Sequence, residues 1–406
     1  MLKVAPLHGP SERARLDRVA AWIDAWAAPL AAESMSLADA AGRVAAGDVR
    51  AELDLPPFDR AAADGFALQA DETVGASAYN PLPFRLQPAS TDAGAGCAVQ
   101  VESGAPLPAG ADAVVRLEHA TRAGAGTIAV IAAVFAGQDI ERAGDHAKRG
   151  SVLVAAGRQL EGGTVGLLAS TGRKRVSVVG RPRVRCLLAA DGVSEPGGAL
   201  LPGAVYDANG PMLAALIARD GGVVVQRSRI GRDRARLREA LALPGADVVL
   251  VAGGTGLGPG DVAAAVLAEA GELAVHGIAL RPGESAGAGR AAGGPVFLLP
   301  GTPAACLWAY ELLAGRAIRR LAGLGAELPF PSRALRMTRK IVSEVGTVEV
   351  WPVHRTGEGE AEPLAPFSEA GLVAATQADG FVVVPEASEG YPAGATVTVY
   401  LHSRSR

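Results

Sequence analysis

The sequence predicts a multidomain protein of the α/β plus β class, with a parallel-sheet α/β domain beside β-rich segments and a helical arm. Three observations carry this expectation. A regular alternation of apolar strand and amphipathic helix begins near Arg181. Short strands broken by Gly and Pro lie on both sides of it, before residue 152 and after about residue 328. The 406 residues also exceed what a single hydrophobic core usually organises.

Taken in order, residues 11–45 read as two helices. The first places Leu16, Val19, Ala20, Ile23 and Trp26 near a helical period, and the second covers 36–45. Residues 51–152 form a β-rich region with strands near 98–102, 113–116 and 127–131. Residues 153–178 alternate glycine turns with an apolar helix. The α/β region, 179–328, reads as strand 184–189, helix 209–220, strand 222–226, helix 232–243, strand 247–252, helix 262–270, strand 295–299 and helix 304–314. Strands near 348–353, 380–385 and 395–400 close the chain as a small β-barrel over 329–406. Residues 1–50 and 153–178 together make the helical, dimerising part.

Composition excludes several classes of function. Lys and Arg number 39 against 42 Asp and Glu, a formal charge of −3, and no basic run is interleaved with aromatics, so nucleic acid is not the expected partner. The first twenty residues hold Glu12, Arg13, Arg15 and Asp17 instead of an apolar signal core, and no stretch is apolar enough to span a bilayer. A cytoplasmic protein is expected. Cys97, Cys186 and Cys306 are far apart, without the spacing of a zinc site or redox pair, and read as buried thiols. GxSxG is absent, so no nucleophile elbow is expected. His276, Trp308 and Tyr310 read as packing residues.

The strongest chemical signal is the apolar run 248–252 emptying into Gly253-Gly254-Thr255-Gly256-Leu257-Gly258-Pro259-Gly260-Asp261 ahead of a helix. Glycines let backbone N–H groups approach a phosphate, and the helix N-terminus adds a favourable dipole. The loop fits neither the Walker pattern nor the dinucleotide fingerprint. Asp261 has two readings, a helix N-cap and a metal or ligand carboxylate. A second rim is built by Arg281-Pro282-Gly283-Glu284-Ser285 and by Pro300-Gly301-Thr302-Pro303, each following a strand. Arg281 offers a planar fork for a phosphate, with a surface ion pair as the alternative. Asp64, before Gly65, reads as a turn residue on local grounds alone.

Several segments together point to a family. Pro57-Phe58-Asp59-Arg60-Ala61-Ala62-Ala63-Asp64-Gly65-Phe66-Ala67 resembles Pro-x-Phe-Asp-Asn-Ser-Ala-Met-Asp-Gly-Tyr-Ala of the molybdopterin molybdenumtransferases, the family of MoeA and the gephyrin E domain. The run 103–115, beginning Ser103-Gly104-Ala105-Pro106, is similar to that family's Thr-Gly-Ala-Pro segment. Tyr206-Asp207-Ala208-Asn209, the glycine loop, Arg281-Pro282-Gly283, Leu299-Pro300-Gly301-Thr302-Pro303 and the run from Ala378 to Glu386 follow in the same order, so the resemblance covers about residues 15–402.

The resemblance implies four domains: an elongated helical one, the β-rich insertion, a MogA-like α/β domain and a C-terminal β-barrel. It implies a homodimer whose cleft sets the α/β domain of one subunit against the β-rich domain of the other. It further implies insertion of molybdate into adenylylated molybdopterin with Mg2+ and release of AMP, and serving a molybdoenzyme or another cofactor-biosynthesis protein. By position, Asp64 and Asp261 match catalytic or metal-binding acids. Gly253, Gly254, Thr255, Gly256 and Gly258 match the pterin-phosphate loop, and Arg281, Pro282, Gly283, Ser285, Pro300, Gly301, Thr302 and Pro303 line the same pocket.

The chain departs from the family at several places. Arg60-Ala61 replaces Asn-Ser, His146 and Gly192 stand at two carboxylate positions, and Glu284 replaces a lysine. Thr302 replaces an asparagine. Asp145 and Asp191 lie one residue from the lost carboxylates. Three functional readings follow: an active insertase, a molybdopterin-binding carrier or accessory paralogue, and an adenylyltransferase-type activity.

Overall fold

The computed structural model describes residues 13–89 and 91–402. Glu12 and the start of the first expected helix fall outside them. The chain divides into two compact units, one formed by residues 1–33, 42–46 and 177–406, the other by 34–41 and 47–176.

The larger unit is organised by a six-stranded sheet in the order Val223–Arg229, Arg183–Leu188, Val248–Ala252, Gly294–Leu299, Gly287–Ala291, Gly271–His276. The first four strands run parallel. The last two are antiparallel, so the sheet is mixed where an all-parallel one is expected from the βα rhythm. Both faces are covered at the centre of the sheet, where Val248–Ala252 is buried throughout. Val248, Leu250 and Ala252 point into a core shared with the helix Asn209–Arg219, while Val249 and Val251 pack with Leu237, Leu241, Val266 and Leu267 of the helices Arg234–Ala242 and Ala263–Ala270.

The helix expected over 304–314 is longer. It begins at Pro303–Ala309, passes through a π-helical turn at Tyr310–Ala314 and continues as Gly315–Leu321. A wide turn of this kind re-aims side chains. Here it accompanies a buried charge network. Arg219 grips Glu311 at 2.6 and 2.8 Å and Asp220 at 2.9 Å, while Arg319 and the Tyr310 hydroxyl both donate to Asp220 Oδ2, at 3.0 and 3.1 Å. Burial raises the pKa of Glu311 and of Tyr310.

A closed five-stranded barrel completes this unit: Val348–Arg355, Glu360–Pro363, Ser332–Met337, Thr396–Leu401 and Gly380–Val384, which returns to the first. Leu335, Met337, Val353, Val382 and Val399 fill its interior. Leu280–Arg281 adds in parallel to Val348 and Glu349, tying the connection between the edge strands Gly271–His276 and Gly287–Ala291 to the barrel.

The smaller unit carries a six-stranded sheet of its own, in the order Ala113–Arg116, Gly65–Leu68, Cys97–Val101, Leu82–Gln87, Thr127–Val130, Ala120–Gly124. The helix Gly162–Ser170 also belongs to it. The helix Leu16–Asp24 forms as its periodicity predicts, with Val19 and Ile23 buried in the larger unit's core. The second expected helix, 36–45, does not form. Only the 3-10 turn Leu37–Asp39 appears, capped by Ser36, and Gly42 then takes a left-handed φ of 79° that no helix continues through. The three cysteines are buried and free. Among the described residues no helix is long and apolar enough to cross a membrane.

Candidate functional site

The order of the parallel strands places a topological switch between Arg183–Leu188 and Val248–Ala252, since the chain leaves the first outward to Val223–Arg229 and returns on its other side. Crevices that bind ligands in open α/β sheets form at the carboxyl ends of such neighbours. The glycine loop lies there. Gly253 and Gly254 turn with φ of 90° and 64°, and a Cβ on either would stand 3.2 or 3.0 Å from the Ala189 carbonyl oxygen. Only glycine combines that backbone with that approach.

Hydrogen bonds fix the loop's outline and leave its middle open. The Gly253 amide donates to Leu299 O at 2.9 Å, the Gly258 amide to Asp261 Oδ2 at 2.9 Å, and the Ala263 amide to Gly254 O at 2.9 Å. Between them, the amides of Gly254, Thr255, Gly256 and Leu257 donate to no protein acceptor among the described residues. Successive unclaimed N–H groups make an anion cradle. The Asp261 carboxylate closes the loop and packs so tightly that a Cβ on Gly256 would lie 2.6 Å from Oδ2. Asp261 thus braces the loop, and its Oδ1 is not used in doing so.

The other candidates divide. Ser285 reaches the loop, its Oγ 3.0 Å from Thr255 Oγ1, and His276, on its strand, sets Nε2 2.8 Å from the Thr255 carbonyl. Gly301 packs on Gly253, a Cβ there standing 3.4 Å from the Gly253 Cα. The flanking Pro300, Thr302 and Pro303 continue the turn, with Pro303 opening the helix. Arg281 does not converge with the loop amides as expected. Its Nη2 donates to Glu344 at 2.8 Å and its Nε to Glu284 at 3.4 Å, because the strand pairing of Leu280–Arg281 turns it toward the barrel. Glu344 first, and Glu284 with it, raise the guanidinium's pKa. Pro282 and Gly283 shape this turn, with the Gly283 amide donating to Glu284.

The cation that does lie on the loop is Arg232. A Cβ on Gly260 would be 2.2 Å from its Nη1. Asp191 accepts the Arg232 amide at 3.3 Å, and its other carboxylate oxygen lies 3.9 Å from Nε. Asp191 therefore orients this arginine, and Gly192 beside it supplies a left-handed turn with φ of 64° where a carboxylate stands in the family pattern. No periodicity marks Arg232; its signal is its place just after the Val223–Arg229 strand end.

Two further residues escaped the list of candidates although their motif was quoted. Asp207 is 3% exposed, takes the Gly210 amide on Oδ1 at 2.7 Å, and leaves Oδ2 buried without a partner among the described residues. Asn209 donates to Gly301 O at 2.8 Å and leaves its own Oδ1 equally unpartnered. Buried orphan oxygens on the turn next to Gly301 are ready-made acceptors for a ligand. Burial pushes the nearby Cys186 thiol up to about 12, which keeps it protonated and inert.

In the smaller unit, Asp64 Oδ1 accepts the Ser103 amide at 2.7 Å, and Ser103 Oγ donates to Ala62 O at 3.1 Å. Gly65 is required behind it, since a Cβ would meet Val115 O at 2.1 Å. Two of the departures meet on one carboxylate: Arg60 donates to Glu141 at 2.6 Å, and His146 lies 3.7 Å from the same side chain. Asp145 Oδ2 accepts the Arg142 amide at 2.7 Å.

Among the described residues no three His, Cys, Asp or Glu side chains gather to hold a metal ion. Asp261, with one oxygen bracing the loop and one to spare, fits Mg2+ only as a single carboxylate ligand beside substrate oxygens, a mode this ion commonly adopts.

The chain resembles known proteins along nearly its whole length. Residues 14–172 match the MoeA N-terminal region (domains I and II), 192–320 a probable molybdopterin binding domain, and 334–402 the MoeA C-terminal region (domain IV). Molybdopterin molybdenumtransferase 2 of Mycobacterium tuberculosis is 32% identical over 332 residues, covering 77% of this chain and 80% of that protein. The molybdopterin molybdenumtransferase of Bacillus subtilis is 28% identical, over 91% of this chain and 89% of its own. A MoeA structure from Pyrococcus horikoshii superposes with a TM-score of 0.81 at 26% identity, covering 96% of this chain and 100% of that one. With all three regions matched in order, the chain belongs to the MoeA family of molybdenum-cofactor biosynthesis.

Proposed function

We propose that this protein is a molybdopterin molybdenumtransferase, taking adenylylated molybdopterin and molybdate and releasing AMP. The observation that carries this reading is the run of unclaimed amides from Gly254 to Leu257 at the sheet's switch point, with the buried free oxygens of Asp207 and Asn209 beside it. The amides and the Arg232 guanidinium bind the phosphates. Asp207 and Asn209 accept hydrogen bonds from donor groups of the substrate. Asp261 holds the loop's shape and turns its spare oxygen to the reacting phosphates. Asp261 would hold Mg2+, which would supply a hard cation to neutralise phosphate oxygens; water attacks the phosphoanhydride and AMP is the leaving group.

The reading carries a cytoplasmic homodimer, built on the four-domain division given above, in which Asp64 acts from the β-rich region of the second subunit. Arg281 serves by positioning Glu284 and Glu344, not by gripping phosphate. Molybdopterin titrated into the protein is expected to bind about tenfold or more weakly in Arg232→Ala, from loss of a charge-assisted contact, and nearly unchanged in Arg281→Ala. Equal affinity in wild type and Arg232→Ala removes the phosphate role assigned to Arg232. Absence of pterin binding by the wild type refutes the reading.

A further inference from the structure

His276, which the sequence reads as a packing residue, meets the glycine loop at a point that decides where one of the loop's amides is aimed. Its Nε2 lies 2.8 Å from the Thr255 carbonyl oxygen. A carbonyl only accepts, so Nε2 carries the hydrogen in this contact. The imidazole comes from the last residue of the strand Gly271–His276, paired with Gly287 on the neighbouring strand. Gly287 leaves the ring its room, since a Cβ there would stand 3.3 Å from the His276 Cδ2. Thr255 is 2% exposed and is held a second time through its side chain, with Oγ1 3.0 Å from Ser285 Oγ.

The Thr255 carbonyl and the Gly256 N–H belong to one peptide unit, and in a trans peptide the two point in opposite directions. Fixing the carbonyl therefore fixes the amide. With the oxygen drawn toward His276, the Gly256 N–H faces away from it, and no protein acceptor claims it among the described residues. Glycine at 256 lets this peptide unit rotate with little steric resistance, so its orientation calls for an outside hold. The Ser285 contact anchors the Thr255 side chain; the imidazole is what grips the peptide itself. A carbonyl that accepts a hydrogen bond also polarises its own peptide and makes the N–H a stronger donor. We propose that His276 is a positioning residue for phosphate binding, aiming the Gly256 amide at the anion through the Thr255 carbonyl. This role rests on the reading that the loop amides bind the substrate's phosphates.

The test compares full-length wild type with His276→Ala, His276→Gln and His276→Asn, each titrated with molybdopterin and separately with inorganic pyrophosphate. Glutamine sets its amide nitrogen where Nε2 stands, whereas asparagine sets it where Nδ1 stands. Affinity is expected to fall about tenfold or more in His276→Ala and His276→Asn, and to stay within about threefold of wild type in His276→Gln. The Gly256 amide signal in the NMR spectrum of the unliganded protein is expected to follow the same order, displaced in the alanine and asparagine variants and restored in the glutamine variant. A role in packing alone does not rank glutamine above asparagine in this way. The proposal is overturned if His276→Ala binds as tightly as wild type, if His276→Gln binds no better than His276→Ala, or if wild type binds neither probe. Pyrophosphate binding that depends on His276, in a protein that does not bind molybdopterin, removes the molybdopterin reading and leaves the positioning role standing. Molybdopterin binding indifferent to His276 does the reverse.

Discussion

Replacing Asp220 with alanine is expected to lower the stability of the larger unit by about 3–5 kcal/mol, the usual cost of stripping one partner from a buried ion pair. Asp220 is fully buried and is the acceptor on which Arg219, Arg319 and the Tyr310 hydroxyl converge. Among the described residues Arg319, itself 3% exposed, then retains the Glu311 carbonyl at 3.3 Å and the Glu311 carboxylate at 4.0 Å. Urea denaturation reads the effect as a lower midpoint. Replacing both charges, as Asp220→Leu with Arg319→Met, is expected to recover much of the loss, because the desolvation cost disappears with the pair. A midpoint unchanged in Asp220→Ala would show that the network is not the clamp holding Asn209–Arg219 to the long helix.

The second large effect falls on function. Gly256→Ala is expected to reduce turnover by about a hundredfold or more while leaving the unfolding midpoint nearly unchanged. Its Cβ would stand 2.6 Å from Asp261 Oδ2, so the carboxylate must leave the Gly258 amide, and the loop must shift with it. Displacements of about 1 Å at a reacting centre carry losses of that size. Single-turnover AMP release measures it. Activity within twofold of wild type would mean that the Asp261 brace does not set the loop's productive shape.

Much of the architecture was readable because burial on both faces writes itself into strands such as Val248–Ala252, and a following glycine run marks the turn. The edge hairpin was not readable. Gly287 and Gly289 allow the strands to approach, a Cβ at Gly289 falling 2.0 Å from Glu272 O, and so the segment lacks the β-branched residues by which strands are recognised. The helix expected over 36–45 stops after the single turn that Ser36 caps, because the alanines favour a helix only locally and Gly42 takes a left-handed φ that no helix continues through.

The site was legible in its backbone and less so in its charges. Glycines must lie where the chain turns tightly, which locates the loop from sequence. Which cation serves it depends on tertiary direction: Arg281 follows an apolar strand but is aimed at Glu344, whereas Arg232, about as far from the loop in sequence on its other side, packs on Gly260. Asp207 and Asn209 show their worth only once burial leaves each with an oxygen unpartnered.

The most direct test of the molybdenumtransferase reading is AMP release from adenylylated molybdopterin, followed with and without molybdate in the presence of Mg2+, for wild type and Asp261→Asn. The account predicts AMP release by the wild type that rises with molybdate and is lost in Asp261→Asn, whose amide keeps the side chain's shape but not its charge. Tight pterin binding with no AMP release under any of these conditions would contradict it and identify a carrier instead.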